Sequence, residues 1–312
     1  MESNIKKIFI SLLLSLLWST QAYALGYCTN YENDQGVIDL GTADDGNAID
    51  ANGCAIAPDL YTLTIYEIGV CTAAPTAPTI TDASDFSTCT TIFTNEAGSV
   101  TDISVNTSID LNASIDLPFG VYGFGYVILS NTLGITKTVN FTRDSTDPNV
   151  VLDNADIQNP GQYCWTTGGT RYNSDSDWTV DKDLVAREFM ECSDIAGTAQ
   201  MYSEILDELG DGPGGEFPTP SIYESESIAV NDGSMNAYIT TTAGLLASAQ
   251  IEGRIQAVIA LTTPLVISDS TSAIDVQFTA NQAGYPVIVG PNPGLTIVGI
   301  GSGPFSVNIS SE

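Results

Sequence analysis

Residues 117–142 form the stretch that most limits how this chain can fold. In residues 120–129, apolar side chains occupy both odd and even positions. Because successive side chains of a strand point to opposite faces, both faces of this strand are apolar, and a central place in a sheet is expected. Residues 135–142 alternate apolar and polar side chains, which is typical of an antiparallel strand with one wet face. Residues 131–134 lie between them as a turn, so the stretch predicts a β-hairpin.

The start of that hairpin is similar to a known structural motif. Its residues are Leu117-Pro118-Phe119-Gly120-Val121-Tyr122. This segment resembles the leucine-proline-x-glycine-x-tyrosine corner of prealbumin-like and collagen-adhesin B-type β-sandwich modules of secreted surface proteins. In those modules the tyrosine hydroxyl ties a crossing loop to the sandwich. The resemblance covers six residues, and it implies a sandwich without implying an active site.

Runs of β-branched and aromatic residues predict strands along most of the chain. They are residues 60–70, 90–94, 100–105, 107–115, 237–242, 254–262, 273–279, 285–289, 295–300 and 305–309. The expected fold class is therefore mainly β, an antiparallel β-sandwich in two modules, with one or two short helices in the second.

Residues 143–161 interrupt the strand pattern with Asp-Pro and Asn-Pro-Gly sequences that are typical of a loop between modules. A boundary near residue 150 gives an N-terminal β-sandwich module, residues 25–150, and a C-terminal β-rich module, residues 151–312. In the second module, Asp183 and Thr198 are placed to cap two short helices within residues 183–209. The second helix would bury Met201, Ile205 and Leu206 and leave Glu204 on its solvated face.

Residues 1–24 have the three parts of a secretory signal peptide. Lys6 and Lys7 form the basic start, residues 8–18 the apolar stretch, and Ala-Tyr-Ala at residues 22–24 the cleavage site. The alternative is an uncleaved anchor, for which the apolar stretch is short. We therefore expect a secreted or cell-surface protein with no membrane span in the mature chain.

All six cysteines follow the proposed cleavage site: Cys28, Cys54, Cys71, Cys89, Cys164 and Cys192. An even number in an exported chain predicts disulfides. Sequential pairing is preferred because each pair then brackets one compact, turn-rich segment. A zinc site is the disfavoured alternative, since no two cysteines have the close spacing of zinc ligands and the chain has no His.

The absence of His also limits the possible enzymes. It excludes Ser-His-Asp and Cys-His catalysis and leaves mainly carboxylate chemistry, such as that of a paired-carboxylate glycosidase. No acidic pair stands out among 38 Asp and Glu residues. We therefore predict no catalytic residue, and the chain is not expected to be an enzyme.

The 38 acidic and 8 basic residues give a net charge of -30 at pH 7. Such a charge repels nucleic acid and anionic membranes, so both are excluded as partners. Solubility is the ordinary reason for an acidic surface, and Ca²⁺ binding is the more specific one. The candidate Ca²⁺ ligands are Asp175, Asp177, Asp181 and Asp183, which lack the Gly and closing Glu of an EF-hand.

Residues 162–178 concentrate aromatic side chains around a Gly-Gly pair. The candidate ligand-binding residues are Trp165, Arg171, Tyr172 and Trp178. Aromatic rings and an Arg on a loop can stack against a sugar ring or a partner protein. The alternative is that Cys164 and Trp165 lie in the core beside a disulfide, as Trp does in many sandwiches.

Three functions follow from these features. The first is a secreted, disulfide-stabilised structural or adhesive surface protein, such as a fibre or filament subunit, with itself, other surface proteins or glycans as partners. The second is a carbohydrate-binding module, and the third a carboxylate-dependent glycoside hydrolase. The sequence favours the first, because it explains the disulfides, the sandwich pattern and the uncharged C-terminal strands as an assembly surface. Residues 256–267, for example, carry no charge and must be central in a sheet or covered by another subunit.

Overall fold

The computed structural model describes twelve ranges of the chain, together with Cys28 and Ile38. The ranges are residues 56–103, 107–109, 117–140, 152–153, 163–172, 190–206, 221–224, 234–248, 251–280, 284–292, 295–302 and 305–311. These residues form 17 strands in three sheets. The prediction of a mainly β fold is confirmed.

The strands are numbered in chain order. They are β1 (Leu60–Cys71), β2 (Cys89–Ile103), β3 (Thr107–Ile109), β4 (Gly120–Ser130), β5 (Thr132–Thr136), β6 (Thr138–Asn140), β7 (Leu152–Asp153), β8 (Tyr163–Tyr172), β9 (Met190–Ser193), β10 (Gln200–Ile205), β11 (Ser221–Glu224), β12 (Ser234–Thr240), β13 (Arg254–Ile267), β14 (Ile274–Thr279), β15 (Gly284–Asn292), β16 (Leu295–Ser302) and β17 (Ser306–Ser311).

The largest sheet has 11 strands and is built around β1. Strand β2 pairs with one edge of β1, while β4 and then β5 pair with the opposite edge. Ile65 of β1 lies opposite Leu129 of β4, and Tyr61 lies opposite Ile135 of β5. Strands β4 and β5 are therefore one line of extended chain along β1, interrupted only near Asn131.

The sheet forks at this interruption. On the side away from β1, β13 pairs with β4 and β10 pairs with β5. Strands β12 and β11 extend the first branch, and β8 with its neighbours β6 and β9 extends the second. The fork gives each half of the β4–β5 line a different neighbour.

Asn131 holds the two branches together. Its side-chain Nδ2 donates to the carbonyl oxygens of Leu206 and Ile251, each at 2.8 Å, and its Oδ1 accepts from the N–H of Gly253 at 2.8 Å. Its own backbone N–H donates to Gly253, and its carbonyl accepts from Leu206. A fully buried amide is stable only with such partners. Asn131 thus links the end of β10 to the segment that leads into β13.

The predicted hairpin turn at residues 131–134 is wrong. The chain continues straight from β4 into β5, and Leu133 and Ile135 are fully buried. An Asn in a turn bonds its own nearby backbone, whereas Asn131 bonds residues far away in the chain. The predicted central place is correct for residues 124–129, which pair with both β1 and β13, whereas residues 120–122 pair with β13 alone.

The uncharged residues 256–267 belong to β13, which lies between β4 and β12. Residues 256–259 pair with both β12 and β4 and are central in the sheet, the first of the two arrangements expected, whereas residues 265–267 pair only with β4 among the described strands. The other strands predicted after residue 237 match β12 and β14–β17, with ends that differ by a few residues.

Strands from both sides of residue 150 share sheets. Strand β4 pairs with β13, β5 pairs with β10, and β3 pairs with β14 in a second sheet. The predicted boundary itself, residues 141–150, lies outside the described residues. The described strands of the two predicted modules are thus interleaved.

The helix predicted within residues 198–209 is wrong, because Gln200–Ile205 is strand β10. Tyr202 and Glu204 are both buried, two residues apart, which is the period of a strand. Glu204 is therefore an interior residue and not part of a solvated face. Of the helix predicted to start at Asp183, residues 183–189 lie outside the described residues, and Met190 begins β9.

The second sheet, in the order β17-β14-β3, packs on one face of the large sheet. The ring of Phe305, just before β17, lies 6.1 Å from that of Tyr61 and 6.4 Å from that of Phe278, measured between centroids. Gly125 allows the close approach, because a Cβ there would lie 2.5 Å from the Cδ1 of Ile309. One continuous apolar core fills the space between these sheets.

Residues 72–88, called the strap below, cross the opposite face of the large sheet. The Cys71–Cys89 disulfide closes the base of the strap. The Phe86 ring packs 4.5 Å from the Tyr126 ring, and the Leu246 N–H donates to the Thr79 carbonyl at 2.9 Å. The strap thereby covers a small apolar cluster formed by Cys71, Tyr126 and Val258.

Candidate functional site

A network of buried polar side chains lies on β8 and β10. The side chains are those of Arg171, Tyr202 and Glu204, and together with the backbone N–H of Ser302 on β16 they are called the Arg171 cluster below. Strands β8 and β10 are parallel neighbours, and their register places Glu204 beside Arg171. Tyr202 precedes Glu204 by two residues, so both side chains point to the same side of β10.

The contacts within the cluster form a closed set. Arg171 Nε donates to Tyr202 Oη at 2.7 Å, and Arg171 Nη2 lies 3.6 Å from Glu204 Oε1. Tyr202 Oη also donates to Glu204 Oε1 at 3.4 Å, while the Ser302 N–H donates to Glu204 Oε2 at 2.5 Å. Both carboxylate oxygens are therefore occupied by donors. Because Ser302 ends β16, Glu204 connects the large sheet to the third sheet, β15-β16-β7.

Burial sets the protonation of the tyrosine in this cluster. Loss of solvent raises the pKa of Tyr202 far above its ordinary value of 10.0, and the negative Glu204 raises it further, while Arg171 opposes the shift. The phenol therefore stays protonated and acts as a hydrogen-bond donor. Glu204 is the only buried carboxylate among the residues with described side chains.

A second polar network joins three strands beneath the strap. Tyr126 Oη donates to Glu67 Oε1 at 2.5 Å, and Thr91 Oγ1 lies 2.9 Å from both of these oxygens. Burial raises the pKa of Tyr126, and the neighbouring Glu67 raises it further. The network ties β4 to β1 and β2, as the Arg171 cluster ties β8 to β10.

The cations in the described ranges all have partners within the protein. Lys137 Nζ forms an ion pair with Asp59 at 2.9 Å, and Arg171 belongs to the cluster above. The Arg254 guanidinium lies 4.2 Å from the centre of the Tyr66 ring. The negative net charge of the chain is therefore not offset by unpaired cations on the described surface.

The structure places Trp165 and Arg171, two of the predicted ligand-binding residues, in the interior. Trp165 is 8% exposed, and a Cβ on Gly197 would lie 2.2 Å from its Cε2 atom, so the glycine backbone covers the indole ring. Cys164 beside it is buried and disulfide-bonded. This is the core arrangement given above as the alternative to a binding platform. Tyr172 is half-buried at the end of β8, and Trp178 lies outside the described residues.

Of the three predicted disulfides the structure confirms Cys71–Cys89, while Cys54 and the side chain of Cys192 lie outside the described residues. Cys71 is bonded to Cys89, as predicted, and Cys28 and Cys164 are also disulfide-bonded. Cys164 lies directly opposite Cys192 across β8 and β9. None of the described cysteines is a free thiol.

The predicted Ca²⁺ ligands, Asp175, Asp177, Asp181 and Asp183, all lie outside the described residues. Within the described ranges, no three His, Cys, Asp or Glu side chains come together to hold a metal ion. Calcium binding therefore stays a prediction of the sequence.

The Leu-Pro-Phe-Gly-Val-Tyr segment buries some of its side chains and exposes others. Leu117 and Tyr122 are buried, and Tyr122 Oη donates to the Pro118 carbonyl at 2.8 Å. This bond to the upstream backbone is typical of a tyrosine corner. Phe119 and Val121, at the two variable positions of the motif, are 70% and 57% exposed. The relation to prealbumin-like and collagen-adhesin modules stays a prediction.

The exposed side chains of this segment continue onto the neighbouring strand. Val121 lies opposite Val266 of β13, which is 55% exposed. Phe119, Val121 and Val266 are called the apolar patch below. The sequence pattern did not reveal the patch, because it depends on which strand pairs with β4.

Comparison of the chain with protein-family models, with curated proteins and with solved structures finds no match. Within the ranges that the structure describes, no helix has the length and apolar character needed to cross a bilayer. What the protein does must therefore be inferred from its own residues.

Proposed function

We propose that the protein is an exported, disulfide-stabilised structural or adhesive surface protein of the kind that forms fibres or filaments. One observation supports the proposal: three buried polar side chains join separate strands. Asn131 links the two branches of the large sheet, Glu204 links that sheet to β16, and Tyr126 links β4 to β1 and β2.

The energetics of burial support a structural role for these groups. A buried charge or amide is unfavourable unless it is fully bonded, so such groups persist where they hold particular segments together. A catalytic carboxylate needs an oxygen that can reach the substrate. Both oxygens of Glu204 are instead occupied by donors from Arg171, Tyr202 and Ser302.

The disulfides support the proposed location. Disulfides persist in oxidising compartments, and the Cys71–Cys89 bond closes a loop with a sequence separation of 18. A bridge of this size stabilises a folded chain by about 3 kcal/mol, mainly by restricting the unfolded state. Such stabilisation suits a protein that must keep its shape outside the cell.

The test is to purify the mature chain and to measure its mass by light scattering and its appearance by negative-stain microscopy. We expect oligomers or filaments that grow with protein concentration, or retention on the surface of the producing cells. A chain that stays monomeric and does not adhere, with or without Ca²⁺, would contradict the proposal.

A further inference from the structure

We propose that the apolar patch, Phe119, Val121 and Val266, is a contact site for a second copy of this chain. The proposal rests on the proposed function, because it names the surface through which copies would assemble. Val121 and Val266 are opposite each other on neighbouring strands, and Phe119 lies just before β4. The three side chains are 70%, 57% and 55% exposed in chain order.

The fold does not require apolar side chains at these positions. Their neighbours Tyr122, Leu265 and Ile267 point to the core and are buried, whereas the patch residues point away from it. An exposed face of an antiparallel sheet normally carries polar side chains. Exposed apolar side chains that adjoin one another are typical of contact sites.

The distribution of charge indicates that the partner is a second copy. The net charge of -30 makes two copies repel each other, and of the three cations in the described ranges, Lys137 and Arg171 are already paired with carboxylates. No charged residue occurs in residues 117–136 or in residues 255–268, which include β4 and all of β13 after Arg254. Two copies can therefore meet here without placing carboxylates against carboxylates, while a cationic partner would find no carboxylate on either strand.

The size of the patch limits the strength of one contact. Stable interfaces bury about 800 Å² on each partner, and three side chains provide well below that area. A single pairwise contact is therefore weak, and assembly depends on protein concentration.

Ionic strength distinguishes self-contact from capture of a cationic partner. Salt screens the repulsion between copies, since the Debye length falls from about 10 Å at 0.1 M to about 3 Å at 1 M. It does not weaken an apolar contact. Self-association through the patch therefore becomes stronger with salt, whereas binding of a cationic partner becomes weaker.

The experiment is sedimentation velocity of the mature chain over a range of concentrations at low and high NaCl. We compare it with the double variant Val121→Thr/Val266→Thr, which keeps β-branched side chains on exposed positions. The matched control is Val100→Thr, because Val100 is 72% exposed and lies on β2, which pairs with the edge of β1 opposite to β4. Phe119→Ser is a second, independent variant of the patch. Melting temperatures confirm that each variant is folded.

We expect salt-strengthened association of the natural chain, with a dissociation constant raised about tenfold in the double variant and in Phe119→Ser and unchanged in Val100→Thr. Equal association of the natural chain, the two patch variants and the control would contradict the patch as the contact site without contradicting the proposed function. A natural chain that stays monomeric at both salt concentrations would contradict self-association through the patch. The proposed function would then be tested separately, by adhesion of the protein to cells. Association that weakens with salt would indicate a charged contact and also overturn the patch.

Discussion

Single buried polar residues determine where the strands of this protein join. Asn131 bonds residues that lie 75 and 120 positions further along the chain. Glu204 likewise meets Arg171 from another strand and Ser302 from another sheet. These bonds are specific in a way that apolar packing is not, because a shifted strand would leave the buried groups without partners.

Replacing Asn131 should therefore destabilise the whole protein. Asn131→Leu keeps the side-chain volume and leaves the carbonyls of Leu206 and Ile251 and the N–H of Gly253 without their side-chain partner. Each such buried group costs about 1–3 kcal/mol, so we expect a loss of about 3 kcal/mol or more in the free energy of unfolding, measured with urea. The control is Asn95→Leu, because the Asn95 side chain makes only an exposed bond to the N–H of Ala97. Equal losses in both variants would show that the fork does not depend on Asn131.

The buried tyrosines predict a loss of stability in alkali. The pKa of Tyr126 is raised above its ordinary value of 10.0, mainly by burial, so above pH 10 the unfolded chain loses a proton that the folded chain retains. The stabilisation is complete below about pH 10 and falls as pH rises, by at most about 1.4 kcal/mol per pH unit for each tyrosine. Tyr126→Phe should reduce this slope without abolishing it, because Tyr202 titrates in the same direction. Urea unfolding at several pH values measures the slope, and an unchanged slope would contradict the assignment.

At the scale of elements, the sequence revealed strands better than it revealed their partners. The strands β1, β4 and β13–β17 follow from runs of β-branched and aromatic residues, which are local signals. The fork at Asn131 could not be predicted, because its bonds join segments that are distant in the chain. Strand β10 was mistaken for a helix because Met201, Ile205 and Leu206 also fit a helical period. As a strand, β10 buries Glu204 together with Tyr202. A buried carboxylate needs a charge partner, and that partner is Arg171 on β8.

The sequence predicted some residues of the candidate site but not the contacts between them. The sequence drew attention to Arg171 and Trp165 because they stand among aromatic residues. It did not show that Arg171 meets Tyr202 and Glu204, since the parallel pairing of β8 with β10 leaves no local pattern. The burial of Trp165 depends on the approach of Gly197, more than thirty residues later in the chain.

The disulfide at the base of the strap should stabilise the folded protein. In Cys71→Ser/Cys89→Ser the strap keeps its contacts through Phe86 and Thr79 but loses its closed base. We expect a loss of about 3 kcal/mol in the free energy of unfolding and greater exposure of Tyr126, measured by urea unfolding and by binding of an apolar dye. The natural chain treated with a thiol reductant is the parallel measurement. A double variant as stable as the natural chain would mean that packing alone holds the strap.

At the scale of the whole molecule, charge opposes both folding and assembly. The acidic side chains that produce the net charge of -30 repel one another within the folded protein, and the cations among the described residues, Lys137, Arg171 and Arg254, already have partners. Stability should therefore rise with NaCl as the repulsion is screened, by about 2–4 °C in melting temperature for each kcal/mol gained.

A comparison of CaCl₂ with NaCl distinguishes general screening of the negative charge from binding of Ca²⁺ at a specific site. If Asp175, Asp177, Asp181 and Asp183 bind Ca²⁺, CaCl₂ will raise the melting temperature more than NaCl at equal ionic strength, because a ligand that binds only the folded state stabilises it. The variant Asp175→Asn/Asp177→Asn should lose this excess and keep the response to NaCl. The matched control is Asp82→Asn/Asp85→Asn in the exposed strap, which removes the same charge elsewhere. If CaCl₂ and NaCl act equally on the natural chain, the acidic residues contribute solubility and repulsion only, and assembly is then governed by the screening of charge around the apolar patch.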